Sequence, residues 1–173
     1  LEKVFDKIIA KGEELSGIKK KLFFWAVSLG EEYDIHGKSG WYKFKLKIAR
    51  KLIFSKWQEA LGGNTKAVAS GSAALSPRLA RIFLAGGIPV MEGYGLTETS
   101  PVVSVNCEDN DGVRIGSVGR PIRDVEVKIA EDGEILVKGP NVMIGYYKLP
   151  DKTKEVLDDD GWFHTGDIGE LKD

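Results

Sequence analysis

Residues 66–101 read KAVASGSAALSPRLARIFLAGGIPVMEGYGLTETSP, and their pattern predicts the central strands and helix of the fold. Lys66 to Ser70 is a short β-like run, after which Ser76-Pro77 supplies a helix N-cap and a proline in the first turn. The predicted helix ends at Gly86-Gly87, where a left-handed cap is expected. A second apolar strand follows from Ile88 to Met91. Strand, helix and strand at this spacing predict a parallel crossover in an α/β fold.

Two loops of small residues follow the predicted strands, Gly71 to Leu75 and Gly93 to Thr97. Open α/β sheets bind ligands outside the carboxyl ends of their parallel strands, so both loops should face one crevice. The second loop lets the backbone approach a ligand closely, and Tyr94 offers an aromatic face for a flat ring. Such a crevice suits a nucleotide.

Helical patterns precede the crossover. Residues 2–15 and 18–30 carry apolar side chains at helical spacing, and Gly17 and Gly30 are predicted to break them. Residues 42–60 form a basic amphipathic segment, with one apolar line formed by Phe44, Ile48 and Leu52 and a second formed by Leu46, Ile53 and Trp57. The pattern favours a surface helix with a solvated lysine face, and a peripheral contact with anionic membrane through Lys43 to Lys56 stays open.

The pattern changes to period two beyond Asn106. Val125, Val127 and Ile129 alternate with charged residues, and Asp132-Gly133 is a tight-turn signal, which together predict a β-hairpin. Gly161 to Gly169 is predicted to be a turn-rich return. We therefore expect a helical and α/β portion over residues 1–106 and a small antiparallel β lobe over residues 107–173.

Composition bounds the class of protein. The chain has 173 residues, of which 42% are hydrophobic and 29% charged, so it can build a core and is not a disordered or collagen-like chain. Cys107 is its single cysteine, which excludes an internal disulfide and a zinc cluster of thiolates and fits a cytoplasmic protein. The longest uncharged apolar stretch, Leu22 to Leu29, is far shorter than the roughly 18 residues of a membrane span.

Three polar residues of the loops suit nucleotide chemistry. The Thr97 hydroxyl can hydrogen-bond a phosphate oxygen, whereas the Glu98 carboxylate needs a bridging cation such as Mg²⁺ to approach phosphate. The carboxylate of Asp167 is suited to accept two hydrogen bonds from a ribose diol. The residues alone leave two alternatives open: Thr97 and Glu98 begin a helix after a plain turn, and Asp167 belongs to a turn.

Four stretches taken together resemble the AMP-forming acyl-adenylate enzymes, which include acyl-CoA synthetases, luciferases and the adenylation domains of peptide synthetases. They are ASGSAALS at 69–76, EGYGLTETSP at 92–101, GEILVKGP at 133–140 followed by GYY at 145–147, and GWFHTGD at 161–167. The first 60 residues look like the branch of long-chain fatty-acyl-CoA synthetases, through LFFWA at 22–26 and ARKLIFSK at 49–56 followed by ALGG at 60–63.

The resemblance implies a layered α/β/α adenylate-forming domain and a two-step reaction. A fatty carboxylate attacks the α-phosphate of ATP, pyrophosphate leaves, and the thiol of CoA then displaces AMP. Thr97 would contact phosphate, and Glu98 would hold Mg²⁺. Tyr94 would stack on adenine, and Asp167 would take the ribose hydroxyls. The remaining nucleotide contacts implied are Gly71, Ser72, Ala73, Ala74, Glu92, Gly93, Gly95 and Leu96, with Ser72 at a position that is commonly glycine.

The resemblance also implies parts that this sequence does not contain. A phosphate loop is expected before Leu1, and a mobile lid with a catalytic lysine is expected after Asp173, so residues 1–173 alone should lack turnover. Two alternatives stay open: a non-catalytic nucleotide-binding or scaffold module, and an enzyme that adenylates another carboxylate, such as a fatty acyl-AMP ligase or an amino-acid adenylation domain. Acyl chain length and oligomeric state do not follow from the sequence, and no nucleic-acid partner is expected.

Overall fold

The fold is described from a computed structural model that covers residues 1–71, 74–107 and 113–172. It is a mixed α/β structure with one parallel and several antiparallel strand pairs. Its helices are α1 (Glu2–Glu13), α2 (Gly17–Glu31), α3 (Gly40–Ala49), α4 (Ser55–Ala60), α5 (Pro77–Ala85) and α6 (Pro150–Val156). Its strands are β1 (Val68–Ser70), β2 (Val90–Tyr94), β3 (Ser104–Val105), β4 (Arg120–Pro121), β5 (Glu126–Ile129), β6 (Glu134–Lys138) and β7 (Phe163–Ile168).

The helices pack around an aromatic core. Trp57 lies at its centre, with ring centroids 5.0 Å from Phe54, 6.2 Å from Phe83 and 6.5 Å from Phe5, all at edge-on angles that suit aromatic quadrupoles. The predicted helices over 2–15 and 18–30 are confirmed as α1 and α2.

Two glycines predicted as breaks behave differently. Gly17 is the first residue of α2, with φ +57°. Gly30 is the penultimate residue of α2, which ends one residue beyond the predicted break, at Glu31. A Cβ at that position would lie 3.2 Å from the Cα of Ile82, so the absence of a side chain lets α2 and α5 approach closely.

The basic segment is helical but not a single regular α-helix. Between α3 and α4, residues Arg50–Phe54 form one π-helical turn, which the sequence pattern did not indicate. The line formed by Phe44, Ile48 and Leu52 is exposed, whereas Leu46 and Trp57 of the second line enter the core. Among the described residues, no helix is both long enough and apolar enough to cross a bilayer.

The predicted crossover is confirmed. β1 and β2 pair in parallel with Val68 opposite Val90, and α5 connects them along the chain. Ser76 precedes α5 as expected, but its side chain makes no capping hydrogen bond. The helix is followed by Gly87 in the left-handed region at φ +71°. The first sheet has the order β1-β2-β3-β4, with β3 antiparallel to both neighbours.

The predicted hairpin is confirmed as β5 and β6, with Glu126 opposite Lys138. The turn-rich return predicted over Gly161 to Gly169 was wrong, since most of it is strand β7, which pairs antiparallel with β6. An irregularity in that pairing hides the period-two pattern. The division of the chain at residue 106 stays a prediction.

Candidate nucleotide site

The end of β2 and the turn after it present the two candidate catalytic residues. Thr97 and Glu98 belong to a single 3₁₀ turn, Thr97–Thr99, so the expectation that they begin a helix holds for one turn. Thr97 is exposed and Glu98 is half-buried. Both therefore face a surface from which a ligand can approach.

A buried threonine holds this turn in place. The Thr99 hydroxyl accepts the Leu96 backbone N–H at 2.9 Å and lies 3.0 Å from the Leu96 carbonyl and 2.9 Å from the Pro101 carbonyl. One hydroxyl proton donates to one of these carbonyls at a time. Because Thr99 is fully buried, the 3₁₀ turn is attached to the protein interior at its last residue.

Gly95 has no space for a side chain. A Cβ there would lie 1.7 Å from the carbonyl oxygen of Pro101, so the chain on either side of the 3₁₀ turn passes at close range. Gly93 and Tyr94, which the sequence placed in the loop, are instead the last two residues of β2 and follow Glu92 in that strand. Their backbone is therefore fixed by the sheet.

Tyr94 and Asp167 meet across the two sheets. The phenol of Tyr94 donates a hydrogen bond to Oδ2 of Asp167 at 2.7 Å, although 73 residues separate them. Burial is the main cause that raises the pKa of the Tyr94 phenol to about 12, and the hydrogen bond to Asp167 and the charge of Asp167 add to it. The phenol therefore remains a donor at neutral pH. The structure thus brings together the residues predicted for the adenine and the ribose.

Glu98 is held by residues that the sequence did not place in the site. Its carboxylate Oε1 accepts a hydrogen bond from the Tyr146 phenol at 3.0 Å, and its backbone carbonyl accepts the Met143 N–H at 2.7 Å. The hydrogen bond to Glu98 raises the pKa of Tyr146. The GYY stretch at 145–147 belongs to one of the four motifs, and its tyrosines are the only sequence signal for this contact.

Glu92 connects β2 to the first loop. It is a buried carboxylate whose Oε2 accepts the Leu75 N–H at 3.3 Å. Burial raises its pKa, while hydrogen bonds from backbone N–H groups oppose that rise. A Cβ on Gly71 would lie 3.5 Å from the Gly93 carbonyl, so this loop begins beside β2.

The predicted contacts on the first loop are only partly described. Gly71 and Ala74 are exposed at the ends of the described segments, while Ser72 and Ala73 lie outside the described residues. The two loops are therefore adjacent, as the crossover predicted. No role for their individual residues follows from this placement.

The described residues contain no group of three or more His, Cys, Asp or Glu side chains placed to hold a metal ion. Glu98 is a single carboxylate beside a threonine hydroxyl. Mg²⁺ binds proteins through one or two carboxylates and completes its octahedron with phosphate oxygens and water. Glu98 therefore fits a magnesium ion that arrives with a phosphate ligand, and a dedicated protein cage is not needed.

This chain is similar to known proteins over most of its length. The model of the family described as AMP-binding enzyme matches residues 10–147. The long-chain-fatty-acid–CoA ligase FadD15 of Mycobacterium bovis is 37% identical over 173 residues, covering 96% of this chain and 28% of the relative. The probable acyl-activating enzyme 16, chloroplastic, of Arabidopsis thaliana is 47% identical over 136 residues, covering 70% of this chain and 18% of the relative.

Solved structures show the same fold. O-succinylbenzoate coenzyme A synthetase from Bacillus subtilis, in complex with ATP and magnesium ion, matches with a TM-score of 0.56 at 28% identity. The match covers 68% of this chain and 28% of that chain. The present chain thus spans 28% or less of the length of each of these three proteins.

Proposed function

Since the chain belongs to the AMP-binding enzyme family, we propose that the whole protein activates a long-chain fatty acid with ATP and transfers the acyl group to CoA. The observation that carries the proposal is the Tyr94–Asp167 hydrogen bond beside the 3₁₀ turn of Thr97 and Glu98. It joins a ring that can stack on a base to a carboxylate that can accept a sugar diol. The name of the relative from Mycobacterium bovis supports the choice of a long-chain fatty acid.

The site residues divide the nucleotide between them. Tyr94 stacks on the adenine, and Asp167 keeps Oδ1 and the remaining lone pairs of Oδ2 for the ribose hydroxyls. Thr97 donates its hydroxyl to a phosphate oxygen. Glu98, oriented by the Tyr146 phenol, is the residue that would hold Mg²⁺. The cation would offset the charge of the phosphates, which a carboxylate alone would repel.

The proposed reaction has two displacements. A carboxylate oxygen of the fatty acid forms a bond to the α-phosphorus of ATP while pyrophosphate leaves with the electrons of the broken P–O bond. The sulfur of CoA, as a thiolate, then bonds to the acyl carbon, and AMP leaves. Activation is needed because AMP is a far better leaving group than the oxygen of a free carboxylate. The contribution of this chain is to hold the nucleotide.

Product analysis on the full-length protein tests the activity. With ATP, palmitate and CoA, the expected products are palmitoyl-CoA, AMP and pyrophosphate. Acyl-AMP that accumulates whether or not CoA is present would indicate a fatty acyl-AMP ligase, and activity with amino acids in place of palmitate would indicate an adenylation domain. If no carboxylate leads to release of pyrophosphate, the proposed enzymatic activity is refuted and a non-catalytic nucleotide-binding module is favoured.

Asp167→Asn tests the site within the same assay. Loss of the charged acceptor should raise the KM for ATP by about tenfold, the effect of weakening hydrogen bonds to a charged group. The matched control is Asp159→Asn, which changes an exposed carboxylate on the segment before β7. Equal KM values for the two variants would contradict the ribose role.

Residues 1–173 alone are expected to release no pyrophosphate.

We also propose a peripheral membrane contact through the basic segment Lys43 to Lys56. The Trp41 and Phe44 rings stack with centroids 5.6 Å apart and remain 65% and 55% exposed. Lys45 lies 5.4 Å from the Trp41 ring centroid, so cationic groups border this apolar surface. An exposed apolar line bordered by lysines is the composition of helices that lie on anionic lipid.

Co-sedimentation of the full-length protein with phosphatidylglycerol vesicles tests this contact. Lys43→Glu with Lys47→Glu should reduce binding, and phosphatidylcholine vesicles should bind weakly. The matched control is Lys19→Glu with Lys21→Glu, which makes the same charge change on exposed positions of α2. Binding that is unaffected by the first pair would overturn the contact and would indicate that another surface of the protein binds the vesicles.

A further inference from the structure

A β-bulge in β7 carries Asp167. Glu134 of β6 pairs with Ile168, and Leu136 pairs with His164. Three residues of β7, Thr165, Gly166 and Asp167, therefore lie opposite the single residue Ile135. Gly166 adopts φ +74°, a conformation that favours glycine. The ladder alone leaves these three residues without regular partners.

One side chain holds this bulge from both sides. Oε1 of Glu134 accepts the Gly166 N–H at 2.8 Å, and Oε2 lies 2.9 Å from Nδ1 of His164. The Glu134 side chain is only 18% exposed. The Thr165 hydroxyl adds two further hydrogen bonds, because it donates to the Ile135 carbonyl at 2.8 Å and accepts the Asp167 N–H at 3.1 Å.

These hydrogen bonds fix the backbone as far as the N–H of Asp167, the residue that faces the nucleotide site. Asp167 is exposed, and its described side-chain hydrogen bond is the one from the Tyr94 phenol at 2.7 Å. The direction of its carboxylate therefore depends on the Tyr94 phenol and on the backbone of the bulge, in which Gly166 directly precedes it. A half-buried carboxylate is not required for strand pairing, and a β-branched residue at position 134 would suit the ladder better.

We propose that Glu134 is a positioning residue for nucleotide binding, which acts through the Gly166 backbone to aim Asp167 at the ribose. The inference rests on the proposed function, since it assigns Glu134 to the residue that would take the ribose hydroxyls. The contact between Nδ1 of His164 and Oε2 of Glu134 keeps the Glu134 carboxylate directed at the bulge. Its other ring nitrogen, Nε2, lies 3.8 Å from Oδ2 of Asp158.

Nucleotides that lack the ribose hydroxyls separate positioning from general stability. In the full-length protein, Glu134→Ala should weaken ATP binding about tenfold, the consequence of releasing one charge-assisted hydrogen bond. Binding of 2′,3′-dideoxy-ATP should change little, so the preference of the protein for ATP over this analogue should collapse. In an Asp167→Asn background, Glu134→Ala should have almost no further effect, because both changes remove the same interaction.

Two further variants keep the test decisive. Glu134→Gln retains an oxygen that can accept the Gly166 N–H, so it should keep most of the preference for ATP over 2′,3′-dideoxy-ATP. It also provides a testable variant if Glu134→Ala does not fold. The control is Glu131→Ala, which removes an exposed carboxylate at the turn of the same hairpin and should behave as the unsubstituted protein. Equal weakening of ATP and 2′,3′-dideoxy-ATP by Glu134→Ala would overturn the proposal in favour of a structural role.

Hydrogen exchange distinguishes failure of this inference from failure of the proposed function. If the unsubstituted protein binds no ATP, the proposed function and the ribose role both fail. The Gly166 amide should still exchange faster in Glu134→Ala than in Glu131→Ala, because its acceptor is lost. If the unsubstituted protein prefers ATP over its dideoxy analogue and Glu134→Ala keeps that preference, the positioning role alone is refuted.

Discussion

A methyl group at position 95 has no room in this fold. The Cβ of Gly95→Ala would lie 1.7 Å from the Pro101 carbonyl oxygen and 2.8 Å from its carbonyl carbon. Real Cβ contacts do not fall below 3.0 Å, so the two segments must separate by at least about 1.3 Å, the difference between 3.0 Å and 1.7 Å. The atom in the way belongs to the backbone, so no side-chain rotation relieves the contact.

The separation has two expected consequences. Forcing extra volume into a packed site costs about 1–3 kcal/mol, so the urea midpoint of the full-length protein should fall. Thr97 and Glu98 lie between the separating segments, and a displacement of about 1 Å can slow a reaction about a hundredfold. Exchange of labelled pyrophosphate into ATP, driven by palmitate, measures that second effect.

The matched control is Gly40→Ala. A Cβ on Gly40 meets no atom within 4 Å, and the residue begins α3, so alanine should leave the midpoint and the exchange rate unchanged or slightly raise the midpoint. A Gly95→Ala protein with the midpoint and exchange rate of the Gly40→Ala protein would refute the reasoning. It would mean that the loop moves freely, contrary to its attachment through buried Thr99.

Two further predictions concern groups that support the site. Tyr146→Phe removes the phenolic hydroxyl that donates to Glu98, so it should lower kcat about three- to tenfold with little change in stability. The control Tyr147→Phe changes a side chain that is 85% exposed and should have no effect. Equal kcat values for the two variants would refute the proposal that Tyr146 supports Glu98. The second concerns Glu92, whose pKa burial raises above its ordinary value of 4.5. The folded state therefore binds more protons than the unfolded state between 4.5 and the raised value, so this group makes the protein less stable as the pH rises through that window. Glu92→Gln should remove that part of the pH dependence of the urea midpoint, and an unchanged profile would contradict a raised pKa.

Regular parts of the fold were predictable from the sequence because their periodicity is local. The spacing of apolar residues predicted α1 and α2, and alternation with a tight turn predicted the hairpin of β5 and β6. The error over Gly161 to Gly169 has a structural cause, because the bulge in β7 interrupts the alternation that would have indicated a strand.

The candidate site was predictable in its residue types and not in its supports. Motifs predicted roles for Thr97, Glu98 and Asp167, because each proposed contact requires a particular side chain, and those roles stay predictions. Tyr146 and Glu134 were not predicted as part of the site. Tyr146 is separated from its partner Glu98 by 48 residues, and Glu134 is separated from its partner Gly166 by 32 residues. No local sequence pattern encodes a contact over such a separation.

Local patterns were enough to predict the order of the elements, the crossover and the functional groups that the loops carry. Which of those groups meet depends on the tertiary fold. Tyr94 reaches Asp167 across 73 residues because the second sheet brings β7 against the end of β2, and a bulge held by Glu134 sets the direction of the carboxylate. The physical reason is that propensity and periodicity act over a few residues, whereas a binding site requires side chains from distant segments at hydrogen-bonding distance.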